Sequence, residues 1–148
     1  VIPFFRDKAA RGEPLPITAQ RMTRFWITLE HAVQFVVDSF TMMAGGELYV
    51  PRIPSMRITD LAEAIAPGSP IEEIGIRPGE KLHEEMISSD DSYRTVKQDD
   101  RYVVMPTIAG WGFEPVEGDP VPSGFSYRSD TNDQWLSPAE LHRIIDLD

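Results

Sequence analysis

The chain contains no cysteine. Disulfide bridges and thiolate metal sites are thereby excluded, and the usage fits a cytoplasmic protein. Basic residues are also scarce: 14 Lys and Arg stand against 24 Asp and Glu, a net charge of −10. Phosphate backbones attract basic faces, so no nucleic-acid partner is expected. No apolar run approaches the roughly 20 residues of a membrane helix, so no membrane partner is expected either. Gly-rich dinucleotide fingerprints and phosphate-binding P-loops are missing. His83-Glu84 begins a zinc-protease motif, but Ile87 stands where the second histidine belongs. Asp130, Asn132 and Asp133 lack the glycine and distal glutamate of a calcium loop. His31, His83 and His142 are scattered and read as helix-surface residues rather than ligands, so no metal site is assigned. The chain opens on Val1 with no basic leader, so no signal peptide is read. The simplest expectation is a piece of a longer protein.

What is present is enough for a core. Of the 148 residues, 41% are hydrophobic, and the length fits one domain of ordinary size. Charge is unevenly spread. Residues 1–24 hold Arg6, Lys8, Arg11, Arg21 and Arg24 against only Asp7 and Glu13. A locally positive entry on an acidic body suits a small anionic ligand better than a polyanion.

Local signals alternate between helix and strand. "IPFFRDKAARG" reads as a helix stopped by Gly12, and "EPLPIT" as extended or turning. "RFWI" reads as a strand, after which Thr28 caps a helix to about Met43. Leu29, Ala32, Val33, Val36, Val37 and Phe40 recur at three- and four-residue spacing on that helix, predicting one buried stripe. "ELYVP", "MRI", "IEEIGI" and "RYVVMP" are strand candidates. Thr59 is expected to cap the helix "DLAEAIA", "EKLHEEMI" to form a short helix, and "SSDDSYRTVKQDD" a surface loop. Residues 106–124 are expected to be mostly irregular. Ser137-Pro138-Ala139-Glu140 is a capping box that opens the last helix. Trp26 and Phe35 read as core, Trp135 as an anchor for the C-terminal segment, and Trp111 as exposed. Short, few strands suit a mixed α/β piece attached to something larger.

One corner stands out. "IGIRPGEKLHEEM" places Arg77, Pro78, Gly79 and Glu80 directly after an apolar run, and Arg24 stands at the head of "RFWI". Guanidinium groups match phosphate oxygens bidentately. Two of them at strand ends, where α/β proteins hold ligands, suit a diphosphate. Pro78-Gly79 fixes the corner and lets backbone approach a ligand. Glu80 is then placed to accept from the two hydroxyls of a ribose. Read as pattern alone, the same residues are equally a simple turn with Arg77 paired to a surface acid.

Four stretches together, "MTRFWITLEHAVQFV", "GGELYVPRIPSMRITDLAEAIAP", "IGIRPGEKLHEEMI" and "YRSDTNDQWLSPAEL", resemble the C-terminal part of the inverting UDP-N-acetylglucosamine 4,6-dehydratases. These belong to the extended short-chain dehydrogenase/reductase family and act in pseudaminic acid biosynthesis. The resemblance covers essentially the whole chain. It implies an α/β fold: the substrate-binding portion of an NAD(P)-binding Rossmann-type enzyme, carrying the last elements of the core sheet and the small substrate domain. The Rossmann half is expected to lie outside residues 1–148. It implies that Arg24 and Arg77 bind the pyrophosphate of UDP-N-acetylglucosamine and Glu80 the uridine ribose. Leu15, Pro16, Ile17 and Thr18 would pass along the uracil and offer backbone groups. Ile2, Pro3 and Phe4 would line the nucleotide site, and Met22 and Thr23 shape it. NADP would be bound by the other half, and the whole protein would be a homo-oligomer. Catalysis in the family uses a Tyr and Lys pair at Tyr-x-x-x-Lys spacing, and none of Tyr49, Tyr93, Tyr102 and Tyr127 is read as having a lysine four residues on. No catalytic residue is assigned, and the chain by itself is expected to be inactive. The competing readings are a stand-alone nucleotide-sugar or protein-interaction module, and part of a UDP-sugar 4-epimerase or capsule-type dehydratase.

Overall fold

A computed structural model describes residues 1–108, 114 and 116–145. In chain order they form α1 (Ile2–Ala10), β1 (Leu15–Ile17), β2 (Thr23–Phe25), α2 (Leu29–Met42), β3 (Leu48–Pro51), β4 (Ser55–Arg57) and α3 (Ile58–Ile65). There follow β5 (Ile71–Glu73), β6 (Glu85–Ile87), a 3-10 turn (Ser89–Arg94), β7 (Thr95–Lys97), β8 (Arg101–Val104), β9 (Asp119–Pro120), β10 (Tyr127–Arg128) and α4 (Pro138–Ile145). The fold is mixed α/β with short elements. Length alone suggested one domain, but the chain interleaves two compact units. The first takes Val1–Trp26, Pro54–Glu84 and the described residues from Ser129 on; the second takes Ile27–Ile53 and the described residues of Glu85–Arg128.

In the first unit, β1 pairs in parallel with β5, and β2 pairs antiparallel with β4. Three helices cover them. Phe5 of α1, Leu15 and Ile17 of β1, Met56 of β4, Leu61 and Ala62 of α3, and Leu141 and Ile145 of α4 form one core. Gly12, at φ 66°, lets the chain leave α1 toward β1. Helix α4 opens on the capping box read from the sequence: Glu140 N–H donates to Ser137 Oγ at 3.4 Å, and Ser137 N–H donates to Glu140 Oε2 at 2.8 Å. Trp135 does anchor this stretch. Its indole N–H donates to Asn132 O at 2.8 Å and the Arg57 guanidinium lies over its ring. Helix α3 starts one residue before Thr59, so Thr59 is no cap. Strand β4 runs straight into the helix, and the Ile58 N–H is met by Met22 O at 3.1 Å instead of by a hydroxyl.

The second unit is a four-stranded sheet in the order β3-β8-β7-β9, plus the β6–β10 pair and α2. Strand β8 is buried along its whole length. The stretch expected as a surface loop supplies the 3-10 turn and β7, which pairs Thr95–Lys97 with Tyr102–Val104. Its polar composition hid a short strand that starts at buried Thr95 and ends at exposed Lys97. Tyr127 closes the sheet: its hydroxyl accepts from Ile53 N–H and donates to Ile53 O, both at 2.9 Å. Thr28 caps α2 as expected, its Oγ1 accepting from His31 N–H at 3.2 Å. Phe35 is half-buried, with the Arg101 guanidinium 4.8 Å from its ring centroid. The buried stripe foreseen on α2 is not buried. Leu29, Val33, Val36, Val37 and Phe40 are exposed, because the helix turns a neighbouring face to the sheet. Trp111 lies outside the described residues, as does part of the 106–124 stretch.

Leu141 is fully buried between α3 and α4. Leu141→Ala is expected to cost about 2–5 kcal/mol in urea unfolding; a cost under about 0.5 kcal/mol would remove α4 from the core of this unit.

Candidate functional site

The first unit contains a cavity of about 650 Å³. Its floor is apolar, from Phe5, Met22, Met56, Ile58 and Leu61. One wall is the start of α1, with Ile2, Pro3 and Phe4; another is Pro16, Ile17 and Thr18 at the end of β1. The polar groups sit together: Arg24, Arg77 and Glu80 line the same space. The residues singled out from the sequence therefore gather here, with one exception. Leu15 does not line the cavity; its side chain is fully buried in the core and its N–H donates to Pro70 O at 2.8 Å. The parallel register also commits Ile17 O to Ile74 N–H at 2.8 Å. Alternation along the strand puts the Pro16 carbonyl on the opposite edge, away from β5.

The corner that carries Arg77 is built by its own residues. Glu80 N–H donates to Arg77 O at 3.0 Å, with Pro78 second in the turn and Gly79 third at φ 83°. That combination is a type II turn, and the left-handed third position requires the glycine. Glu80 then ties the turn down. Its Oε2 accepts from Arg77 N–H at 3.3 Å and its Oε1 from Thr18 Oγ1 at 3.0 Å. The corner is thus fastened to the end of β1, which is why Thr18, Arg77 and Glu80 face one cavity.

The two arginines have unlike roles. Arg24 grips the next stretch of backbone: Nη1 donates to Thr23 O at 2.7 Å and Leu82 O at 3.1 Å, and Nη2 to Lys81 O at 2.9 Å. Its Nε lies 3.4 Å from Glu84 Oε1. Arg77 is exposed, and its side chain makes no hydrogen bond or ion pair among the described residues. One guanidinium is a brace with little donor capacity to spare, and the other has all five N–H groups available.

The brace also explains why "EKLHEEMI" is not a helix. A helix needs the 81–84 carbonyls for its own amides. Here Lys81 O and Leu82 O accept from Arg24, Leu82 O also accepts from Thr23 N–H at 3.2 Å, and Glu84 O accepts from Ser129 N–H at 2.9 Å. Residues Glu85–Ile87 instead form β6 against β10. Behind the corner, Thr23 Oγ1 is 2.8 Å from His83 Nδ1 and 2.7 Å from Ser129 Oγ. Thr23 and Ser129 are buried, so the two hydroxyls pack behind the corner, while His83 is half-buried with its Nε2 3.8 Å from Asp130 Oδ2.

Sequence reasoning missed much of the apolar lining: Phe5, Phe25, Trp26, Met56, Ile58, Leu61 and Ile74. Trp26 was read as core. It is partly buried and packs on the core, yet it lines the cavity, and its Nε1 is a buried donor without a partner. A second omission concerns tyrosine. Tyr93 does have Lys97 four residues on. The spacing carries no helical meaning, because Tyr93 lies in the 3-10 turn and Lys97 in β7.

The ionisable side chains on the cavity wall are two guanidiniums and one carboxylate. Guanidiniums hold their protons in proteins, so the set suits holding an anion and a hydroxylated group, with no acid–base pair. The residues do not fit a dinucleotide. Among the described residues, the passages from strand to α-helix, β2 to α2, β4 to α3 and β10 to α4, contain no glycine, so no backbone cradle for a pyrophosphate is formed there.

Residues 1–106 match the family model described as Polysaccharide biosynthesis protein. The chain is 49% identical to the UDP-N-acetylglucosamine 4,6-dehydratase (inverting) of Campylobacter jejuni, over 98% of this chain and 46% of that protein. It is 34% identical to the UDP-glucose 4-epimerase of Rickettsia canadensis, over 69% of this chain and 31% of that one. Among solved structures, that of Pen from Bacillus thuringiensis superposes with a TM-score of 0.82 at 26% identity, over 99% of this chain and 44% of Pen. The chain spans less than half the length of each of these proteins.

Arg24→Met would strip Lys81 O and Leu82 O of their charged donor. Hydrogen bonds to charged groups are worth about 1.5–3 kcal/mol each. Amide exchange across residues 79–84 is expected to speed up at least tenfold, while Arg77→Met leaves it unchanged. Equal behaviour of the two variants would contradict the division of roles.

Proposed function

Because the chain belongs to the Polysaccharide biosynthesis protein family, we propose that its cavity holds UDP-N-acetylglucosamine and that it is the substrate-binding portion of a C5-inverting, NADP-dependent UDP-N-acetylglucosamine 4,6-dehydratase. The observation that carries the reading is the gathering of Arg24, Arg77, Glu80 and Thr18 around one cavity of about 650 Å³. That volume lies within the roughly 300–1,000 Å³ of ordinary ligand sites. In this reading Arg77 meets the pyrophosphate and Arg24 holds the corner, contributing what donor capacity remains. Glu80 takes the ribose at the cost of its bonds to Thr18 and the Arg77 amide. Ile2, Pro3 and Phe4 pack against the nucleoside, and the edge of β1 at Pro16 serves the base. NADP and the chemistry of dehydration belong to the part of the family enzyme that this chain does not span.

The epimerase reading uses the same cavity. The relative that is a dehydratase aligns over 98% of the chain and the epimerase over 69%. The wider match and the higher identity, 49% against 34%, favour the dehydratase.

Titration calorimetry of the chain with UDP is expected to show binding, and Arg77→Ala to weaken it at least tenfold, since a charged hydrogen bond contributes about 1.5–3 kcal/mol. Unchanged affinity would remove Arg77 from the site. Mixed with UDP-N-acetylglucosamine and NADP, the chain is expected to release no 4-keto sugar; turnover would overthrow the division between binding and chemistry.

A further inference from the structure

Behind the Arg77–Glu80 turn three side chains form a relay, and counting its protons fixes the state of the last one. Glu84 N–H donates to Ser129 Oγ at 2.9 Å, so that oxygen already accepts once. Ser129 is wholly buried, and among the described residues its hydroxyl proton has one group to go to, Thr23 Oγ1 at 2.7 Å. Thr23 is itself 4% exposed, and its own proton is then left for His83 Nδ1 at 2.8 Å. The reverse order strands a proton. Were Thr23 to donate to Ser129, the Ser129 O–H would have no acceptor, and a buried donor without a partner is costly. The order Ser129 to Thr23 to His83 satisfies every group. It makes Nδ1 an acceptor and leaves the ring proton on Nε2. That second nitrogen lies outside the relay, 3.8 Å from Asp130 Oδ2.

We propose that His83 is a positioning residue for the Arg77–Glu80 corner, a neutral strut whose Nε2–H tautomer is imposed by the two buried hydroxyls. Its place in the chain gives it that leverage. One residue before it, Leu82 O is held by Thr23 N–H and by Arg24 Nη1. One residue after it, Glu84 bonds Ser129 twice, through its N–H to the hydroxyl and through its carbonyl to the amide. The ring therefore ties the end of the corner to β2 and to the stretch that leads into α4. An imidazolium has only donors. Charged, His83 would turn a proton on Thr23, reverse the hydroxyls and strand the Ser129 O–H where no water reaches. The charged groups around the ring do not relieve that conflict. Asp130 meets it at Nε2, while Arg24 on β2 and Glu84 face each other at 3.4 Å, so none takes up the stranded proton. The strut that orders the corner when neutral thus loosens it when charged. The tautomer and the strut do not depend on what the cavity binds.

Ring nitrogen NMR of the isotopically labelled chain reads the tautomer directly. With the ring neutral, His83 is expected to carry its proton on Nε2 and none on Nδ1; a proton on Nδ1 would overturn the proposal. Thr23→Ser, which keeps the relay hydroxyl, is expected to retain that signature and Thr23→Val to lose it; equal spectra would count against the relay. The strut is read from amide exchange at Thr23, Glu84 and Ser129, whose N–H groups bond Leu82 O, Ser129 Oγ and Glu84 O. Their protection, corrected for the intrinsic pH dependence of exchange, is expected to fall at least about fivefold from about pH 7.5 to about pH 5.5, a range in which histidine changes charge. His83→Asn offers a carbonyl in place of Nδ1 and does not titrate, so it is expected to hold its protection across that range. Constant protection in the unsubstituted chain, or an equal fall in both, would overturn the strut. Affinity for UDP-N-acetylglucosamine is expected to fall with protection in the unsubstituted chain and to hold in His83→Asn; affinity that stays constant while protection falls would overturn the positioning role. Only this last readout rests on the proposed function, and absence of binding at either pH would contradict that function instead.

Discussion

The Arg24 guanidinium, holding the carbonyls of Lys81 and Leu82 with Glu84 alongside, is the interaction on which the cavity depends. It draws the chain after the Arg77–Glu80 turn against β2 and denies that stretch the carbonyls a helix needs. Glu80 completes the arrangement from the other side by bonding Thr18 and the Arg77 amide. Between these two ties the turn has one place to stand, with Arg77 on the cavity wall. In this type II corner Pro78 adds stiffness because its ring fixes φ, and Gly79 supplies the left-handed position that a Cβ would strain. The cavity is therefore preorganised by the same charged groups that make it suitable for an anion.

This arrangement trades donors between structure and ligand. A pair of free arginines would repel each other and face water. Tying one to backbone carbonyls and to Glu84 offsets part of its field and leaves Arg77 as an open cation on the cavity wall. Glu80 is similarly spoken for, and a ribose approaching it would have to offer hydroxyls in place of Thr18 Oγ1 and the Arg77 amide. Ligand affinity and corner order are coupled through that exchange.

Legibility in the sequence followed the chemistry of each residue. The gathering of Arg24, Arg77 and Glu80 at one cavity was legible because the charged residues stand at strand ends and Pro78-Gly79 fixes a corner, although pattern alone reads equally as a simple turn. Gly12, Thr28 and Ser137 to Glu140 were legible because helix ends are governed by local bonds. The helix expected at "EKLHEEMI" was not to be, because its propensity is overridden by a guanidinium 57 residues before Lys81 in the chain. The strand at Thr95–Lys97 was masked by polar neighbours and depends on pairing with buried β8. The stripe on α2 was read correctly as apolar and wrongly as covered, since periodicity reports a face that needs a partner and not which chain supplies it. Leu15 was placed with its neighbours along the ligand, but an inward-facing strand residue next to an outward-facing one goes to the core.

The most direct measurement is an amide NMR titration of the chain with UDP. Binding at the cavity shifts the N–H signals of Ile17, Thr18, Gly79 and Glu80 and those at the start of α1, while Val103 and Val104 in the buried strand of the other unit stay in place. Shifts confined to the other unit, or none at millimolar UDP, would contradict a uridine diphosphate site built around Arg24 and Arg77.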